Sequence, residues 1–160
     1  MMCGPLAAGA DPNALLHKGA PAFARTDFQG RHVNLKAMRG HVVLLSFWAT
    51  WCAPCQIEMA KFAEWRTEYG ELGFEVIAVS MDDEDVAARA FVAKMKLGFP
   101  VTMGDAKLGK LYGGVLGLPL TFLIDREGRV AAVFKGEADL TSMESALKKL
   151  LNEPVRYSRY

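Results

Sequence analysis

Two cysteines separated by two residues, Cys52-Ala53-Pro54-Cys55, follow the apolar run Val42-Val43-Leu44-Leu45-Ser46-Phe47-Trp48 almost directly and open an amphipathic segment. Sulfurs at this spacing in the first turn of a helix are close enough to close a small disulfide ring. The unpaired amides and aligned peptide dipoles at such a terminus favour a thiolate at the first sulfur. The chemistry implied is thiol-disulfide exchange. Pro54 fits the same placement, because its fixed φ suits an early helical position and it lacks the amide that would have no partner there.

A CxxC pair can also be half of a zinc site, which needs four ligands. The chain offers one further cysteine, Cys3, and its histidines, His17, His32 and His41, stand at no ligand spacing. No metal-ligand set is expected. An inert structural disulfide is the other bland reading of the pair, and the strand-to-helix context favours a redox-active one.

The elements that must position the thiols are readable on either side. Residues 42–48 are apolar almost without interruption, as in a strand covered on both faces. Residues 52–69 carry Ile57, Ala60, Phe62, Ala63 and Trp65 at roughly helical spacing, with Gly70 and Gly73 as the stop. Upstream, residues 19–40 contain turn signals between short apolar segments and predict an edge hairpin. Downstream, residues 74–80 predict a second strand, and the acidic run Asp82-Asp83-Glu84-Asp85 is expected to open a helix through Val86, Ala90, Phe91 and Met95 by accepting unpaired amides and complementing the dipole. A divalent-metal role for these acids is the alternative. A short strand over 99–103, a short helix over 105–112, a hairpin of 120–125 with 129–135 and a helix over 140–151 complete the order. This order predicts an α/β sandwich whose sheet has parallel central strands and antiparallel edges.

The 160-residue chain is 51% hydrophobic and 23% charged, which suits one globular domain with a sizeable core. A formal net charge of +1, without a basic stripe, gives no reason to expect a nucleic-acid partner. The longest apolar stretch is too short to span a bilayer. Residues 1–18 are expected to form a flexible leader, residues 19–152 the domain and residues 153–160 a tail. Cys3-Gly4 has two readings: the remnant of a lipoprotein cleavage site whose cysteine carries lipid, or a stray thiol in the leader.

With these residues laid out, the chain resembles the thioredoxin-fold proteins and, within them, the TlpA/ResA group of bacterial extracytoplasmic thiol-disulfide oxidoreductases. The likeness is carried by Leu35-Lys36-Ala37-Met38-Arg39-Gly40, by Phe47-Trp48-Ala49-Thr50-Trp51-Cys52-Ala53-Pro54-Cys55, by Glu58, and by Gly117-Leu118-Pro119-Leu120-Thr121-Phe122-Leu123-Ile124-Asp125. It runs from about residue 19 to about residue 151. The resemblance implies a thioredoxin-like three-layer sandwich, a central mixed sheet with helices on both faces, an N-terminal hairpin and a helix-strand insert between Asp82 and Gly117.

It also implies roles. Cys52 attacks and Cys55, more buried, resolves. Pro119 matches the cis-proline that lies against the thiols and leaves the Leu118 backbone free to pair with an extended peptide. Trp51 and Pro54 border the same surface. Glu58 matches an acidic position of the group, and positions three apart share a helix face, so its carboxyl can lie near the thiols and shuttle the proton of Cys55; a solvated surface glutamate is the alternative. Three departures stand out: Ser46 replaces the buried aspartate of ordinary thioredoxins, Ala60 a helix proline, which predicts a straighter helix, and Leu120 a frequent threonine, which makes the groove more apolar.

The expected activity is exchange of the Cys52-Cys55 dithiol with cysteines of partner proteins, as an extracytoplasmic reductant, with no bound cofactor beyond the redox-active pair. Partners implied are protein thiols and disulfides, such as apocytochrome or other extracytoplasmic proteins, and an upstream thiol reductase as electron donor. The protein is expected to act as a monomer, periplasmic or membrane-tethered, with the cytoplasm as alternative. Two rivals are a copper metallochaperone using the thiols with Met59, Met81 or Met103, and a peroxiredoxin-type peroxidase. The peroxidase pattern Pro-x-x-x-Thr-x-x-Cys does not fit, because Thr50 stands two before Cys52.

Overall fold

The computed structural model describes residues 11–154. Its elements in chain order are β1 (Ala24–Thr26), β2 (His32–Asn34), β3 (Val42–Trp48), α1 (Ala53–Tyr69), β4 (Phe74–Ser80), α2 (Asp85–Met95), β5 (Val101–Met103), α3 (Ala106–Leu111), β6 (Leu120–Ile124), β7 (Val130–Lys135) and α4 (Leu140–Asn152). Short 3-10 turns occupy Pro12–Leu15, Leu35–Met38 and Gly70–Leu72.

The central sheet has the order β5-β4-β3-β6-β7. β3 pairs parallel with β4, and β4 with β5, while β3–β6 and β6–β7 are antiparallel. One edge, β5, is therefore parallel, where antiparallel edges were expected: β4 and β5 are joined by a helical crossover, α2, which returns the chain in the same direction. The N-terminal hairpin forms as expected but as a separate two-stranded sheet, not an edge of the central one. Asp27 closes its turn by accepting the Gln29 and Arg31 amides at 3.0 and 2.8 Å.

Every residue of β3 is buried, Ser46 included, as the near-continuous apolar run requires. Its alternating side chains divide the core. Val42, Leu44 and Trp48 face a cluster completed by α1, α2 and α4, whereas Val43, Leu45 and Phe47 face one completed by α3 and the hairpin. Helices thus cover both faces of a mixed sheet, and each fully buried Leu, Ile or Phe contributes on the order of 2 kcal/mol by leaving water.

Three local expectations shift. The buried stripe of α1 is Cys55, Glu58, Met59, Phe62, Trp65 and Tyr69, and Ile57 is 64% exposed. On α2 it is Ala88, not Val86, that faces the core. Residues 11–18, expected within a flexible leader, are bound to the domain: the His17 amide donates to the Val130 carbonyl at 2.8 Å, the Val130 amide to the Lys18 carbonyl at 2.9 Å, and Pro12 packs where a Cβ on Gly113 would collide with it. Backbone bonds hold this stretch together with the buried Pro12 and with Leu15, which packs against the core cluster on the hairpin side; one buried proline and one leucine are too few to form a sequence pattern. Cys3 and residues 155–160 lie outside the described residues.

Candidate functional site

β3 ends at Trp48 and α1 begins at Ala53, so the intervening turn carries Cys52 to the rim of the sheet. Cys52 is the N-cap of α1, in extended conformation, and Pro54 lies in the first turn. Cys52 and Cys55 form a disulfide with Cα atoms 5.3 Å apart. The Cys55 amide donates to the Cys52 sulfur at 3.3 Å. In the dithiol form this helix-terminal amide is aimed at a thiolate, the arrangement that lowers a thiol pKa. Cys52 is 6% exposed and Cys55 1%, so the first sulfur is the more accessible.

Glu58 occupies a position of the α1 stripe that should be apolar. It is 3% exposed, and neither carboxylate oxygen has a hydrogen-bond partner. The buried aspartates Asp27 and Asp82, by contrast, are both hydrogen-bonded. Burial without compensation disfavours the charged form, and Glu137 adds repulsion, so the Glu58 carboxyl is pushed up to about 7. The surface-glutamate alternative is excluded by that burial. Ser46 is buried as well and pairs across β3–β6 with Thr121, so no carboxylate replaces the missing aspartate on that strand.

The Leu118–Pro119 bond is cis. Phe47 pairs with Leu120, so Pro119, just ahead of β6, lies at the same end of the sheet as the residues that follow Trp48. Leu118 packs against the cluster containing both sulfurs. It also lines a groove of about 600 Å³ with Leu116, Leu120 and Gly136, walled by Asp11 and Pro12. Leu116 is 95% exposed and Trp51 73% exposed. The aromatics near the thiols therefore divide: Phe47 and Trp48 are core, and Trp51 alone is presented to solvent.

One connection was missed. Asp82, expected to start a helix, instead accepts the Thr50 amide at 3.2 Å, the Thr50 hydroxyl at 2.6 Å and the Ser80 hydroxyl at 2.6 Å. The N-cap of α2 is Glu84, and its side chain makes no cap bond. The signal lies in the parallel register: Trp48 sits opposite Ser80, so the residues two beyond each, Thr50 and Asp82, come side by side. Glu137 was missed too, because its repulsion acts on Glu58 from beyond β7, far along the chain.

Among the described residues, no group of three or more His, Cys, Asp or Glu is placed to hold a metal ion. The methionines do not converge either. Met59 and Met103 pack against the cluster on one face of the sheet and Met81 against the other.

Known proteins are similar to this chain in sequence and in fold. The model of the AhpC/TSA family matches residues 16–133. The thiol-disulfide oxidoreductase ResA of Bacillus thuringiensis subsp. konkukian is 42% identical over 134 residues, 83% of this chain and 77% of that protein. ResA of Bacillus subtilis is 34% identical over 134 residues, 83% and 72% of the two chains. A Chlorobium tepidum structure described as a DsbE thiol:disulfide interchange protein superimposes with a TM-score of 0.78 at 34% identity, covering 86% of this chain and 99% of that one. A thioredoxin family protein from Chlorobium tepidum TLS, 23% identical, shares the fold with a TM-score of 0.77 over 84% and 96% of the two chains. With a buried CxxC disulfide at the head of α1 in a mixed sheet of this order, the chain belongs to the AhpC/TSA family and, within it, to the ResA thiol-disulfide oxidoreductases.

Proposed function

We propose that Cys52 attacks disulfides of partner proteins, that Cys55 resolves the resulting mixed disulfide, and that Glu58 moves the proton of Cys55. The observation that carries this reading is the Cys55 amide directed at the Cys52 sulfur at a helix N-terminus. The Cys52 thiolate forms a bond to one partner sulfur and the partner's other sulfur leaves as thiolate. Cys55 gives its proton to the Glu58 carboxylate and attacks Cys52, so that the second partner sulfur is expelled. Protons from Glu58 and solvent return to the two partner thiolates. Two electrons pass from the Cys52-Cys55 dithiol to the partner, and the enzyme is left in its disulfide form.

The exposed Trp51 and the apolar groove of Leu116, Leu118 and Leu120 support docking of an extended peptide beside the disulfide. Separation of the methionines onto two faces of the sheet speaks against the copper-binding rival. The chemistry needs only the protein's own sulfurs. Partners are proteins with reducible disulfides, and a separate thiol reductase returns the enzyme to its dithiol form. An extracytoplasmic, reducing role and a monomeric state rest on the resemblance to the TlpA/ResA group. Cell fractionation tests the location: recovery of the native protein in the cytosol alone rejects it.

The activity itself is tested by incubating the reduced protein with a disulfide-bonded protein and counting free thiols. Stoichiometric loss of the Cys52 and Cys55 thiols with gain of two substrate thiols is expected. Failure of the pair to cycle, or alkylation of Cys52 with the pH dependence of a free cysteine, rejects the assignment.

A further inference from the structure

β3 and β4 run parallel in register to their last residues, Trp48 and Ser80, and the chain leaves both strands at the rim where the thiols stand. Beyond that point the two loops are joined. The Met81 amide donates to the Trp48 carbonyl at 2.7 Å, and Asp82, nine-tenths buried, accepts the amide and hydroxyl of Thr50. The Thr50 carbonyl in turn accepts the Gln56 side-chain amide at 2.7 Å. Every polar group of the residue two before Cys52 is therefore bonded, to the β4–α2 loop on one side and to α1 on the other.

Asp82 is oriented with equal care. Its second oxygen accepts the Ser80 hydroxyl, and its own amide donates to the Ser80 oxygen at 3.1 Å. A carboxylate near a sulfur that must ionise is an electrostatic disadvantage, since like charge disfavours the thiolate. Its burial with both oxygens hydrogen-bonded points to geometry instead. Between Thr50 and α1 the turn has only the exposed Trp51 and the Cys52 amide, which donates to the Ala49 carbonyl at 3.2 Å.

We propose that Asp82 is a positioning residue for Cys52: through Thr50 it fixes the turn between β3 and α1 so that the attacking sulfur stays on the Cys55 amide. This rests on the reading of Cys52 as the attacking thiol. The Asp82–Thr50 link belongs to the working geometry of the site, not to the start of α2.

The test is the pH dependence of Cys52 alkylation in the full, reduced chain, with folding followed by circular dichroism. The ionisable groups that bear on the reading are Cys55 and Glu58 on α1, Asp82, tied to the turn through Thr50, and Glu137, which acts on Glu58 from beyond β7. Thr50→Val removes the hydroxyl donor at unchanged charge, and Asp82→Asn removes the carboxylate. Each is expected to raise the alkylation midpoint by about one pH unit, a tenfold slower reaction below the midpoint. Thr50→Ser restores the donor and brings the midpoint back. The double variant moves it no further than one change alone, because both weaken the same hydroxyl-to-carboxylate link.

A folded Thr50→Val protein with the wild-type midpoint overturns the proposal. So does a lowered midpoint in Asp82→Asn, which makes the carboxylate a charge that restrains ionisation and not an anchor. Should Asp82→Asn fail to fold, Thr50→Val and Thr50→Ser decide alone. A wild-type midpoint like that of free cysteine strikes instead at the reading of Cys52 itself, so the two failures are told apart.

Discussion

Glu58 lies three residues after Cys55 on the buried stripe of α1, and its carboxylate has no hydrogen-bond partner. Buried carboxylates are ordinarily paired or hydrogen-bonded, as Asp27 and Asp82 are here. An uncompensated one is held close to neutrality, and this one titrates at about 7. A group balanced between its two forms at the working pH is suited to take a proton and return it.

Replacing that group by an isostere that cannot exchange a proton isolates its role. Glu58→Gln is expected to slow closure of the mixed disulfide on the order of a hundredfold near pH 7. The deficit shrinks as rising pH ionises Cys55 without help. Single-turnover kinetics over a range of pH measures this, and identical profiles for the two proteins remove Glu58 from the reaction.

The same carboxyl couples stability to pH. In the unfolded chain it loses its proton near 4.5, and in the folded, disulfide form at about 7. Between these values the folded state holds the extra proton, so this contribution falls as pH rises through the window and levels off above it. The change from 4.5 to about 7 amounts to on the order of 3 kcal/mol. Denaturant unfolding of the oxidised protein is expected to show wild type losing stability relative to Glu58→Gln between pH 4.5 and 7.5. A difference that stays constant with pH contradicts the shifted carboxyl.

How far these features were legible depends on how local their cause is. β3 and the start of α1 follow from a near-continuous apolar run and a proline in the first turn, which are properties of neighbouring residues. Glu58 was legible through the resemblance to the TlpA/ResA group, and helical spacing gives that match its meaning by placing it near Cys55. Its burial was less so, since the apolar count placed Ile57 in the stripe, whereas the stripe runs through Met59 and Phe62 and carries the glutamate with it. Asp82 was misread for a different reason. An acid ahead of a helix has a sufficient local explanation, and only the register of β3 against β4 reveals Thr50 as its partner. The docking of residues 11–18 is likewise non-local, made by backbone bonds to β7 and its flanking turn, by the buried Pro12 and by Leu15 against the core, contacts that no local periodicity announces.

Trp51 offers a way to separate docking from chemistry. It is 73% exposed beside Cys52, so Trp51→Ala should change folding stability by no more than about 0.5 kcal/mol. Loss of an exposed aromatic anchor at a protein interface costs about 1–2 kcal/mol of binding. The expected result is a roughly tenfold higher KM for a protein disulfide, with an unaltered rate toward a small-molecule disulfide. Equal effects on both substrates make Trp51 part of the thiol's environment and not of the docking surface.

The division of labour between the sulfurs has a direct chemical signature. If Cys52 attacks and Cys55 resolves, Cys55→Ser stops the reaction after the first bond is formed, because a serine hydroxyl cannot displace the partner sulfur from Cys52. The adduct should accumulate as a mixed disulfide that reductant releases, and mass spectrometry should locate it on Cys52. Cys52→Ser should trap little, since Cys55 is almost wholly buried and lies a turn inside the helix, away from an incoming disulfide. Burial of Cys55 and the helix-terminal amide at Cys52 both belong to the enzyme, so the asymmetry should persist with small disulfides as well as with proteins. Adducts on Cys55 in the Cys52→Ser protein, at yields matching the reverse pair, reverse the assignment of attacker and resolver.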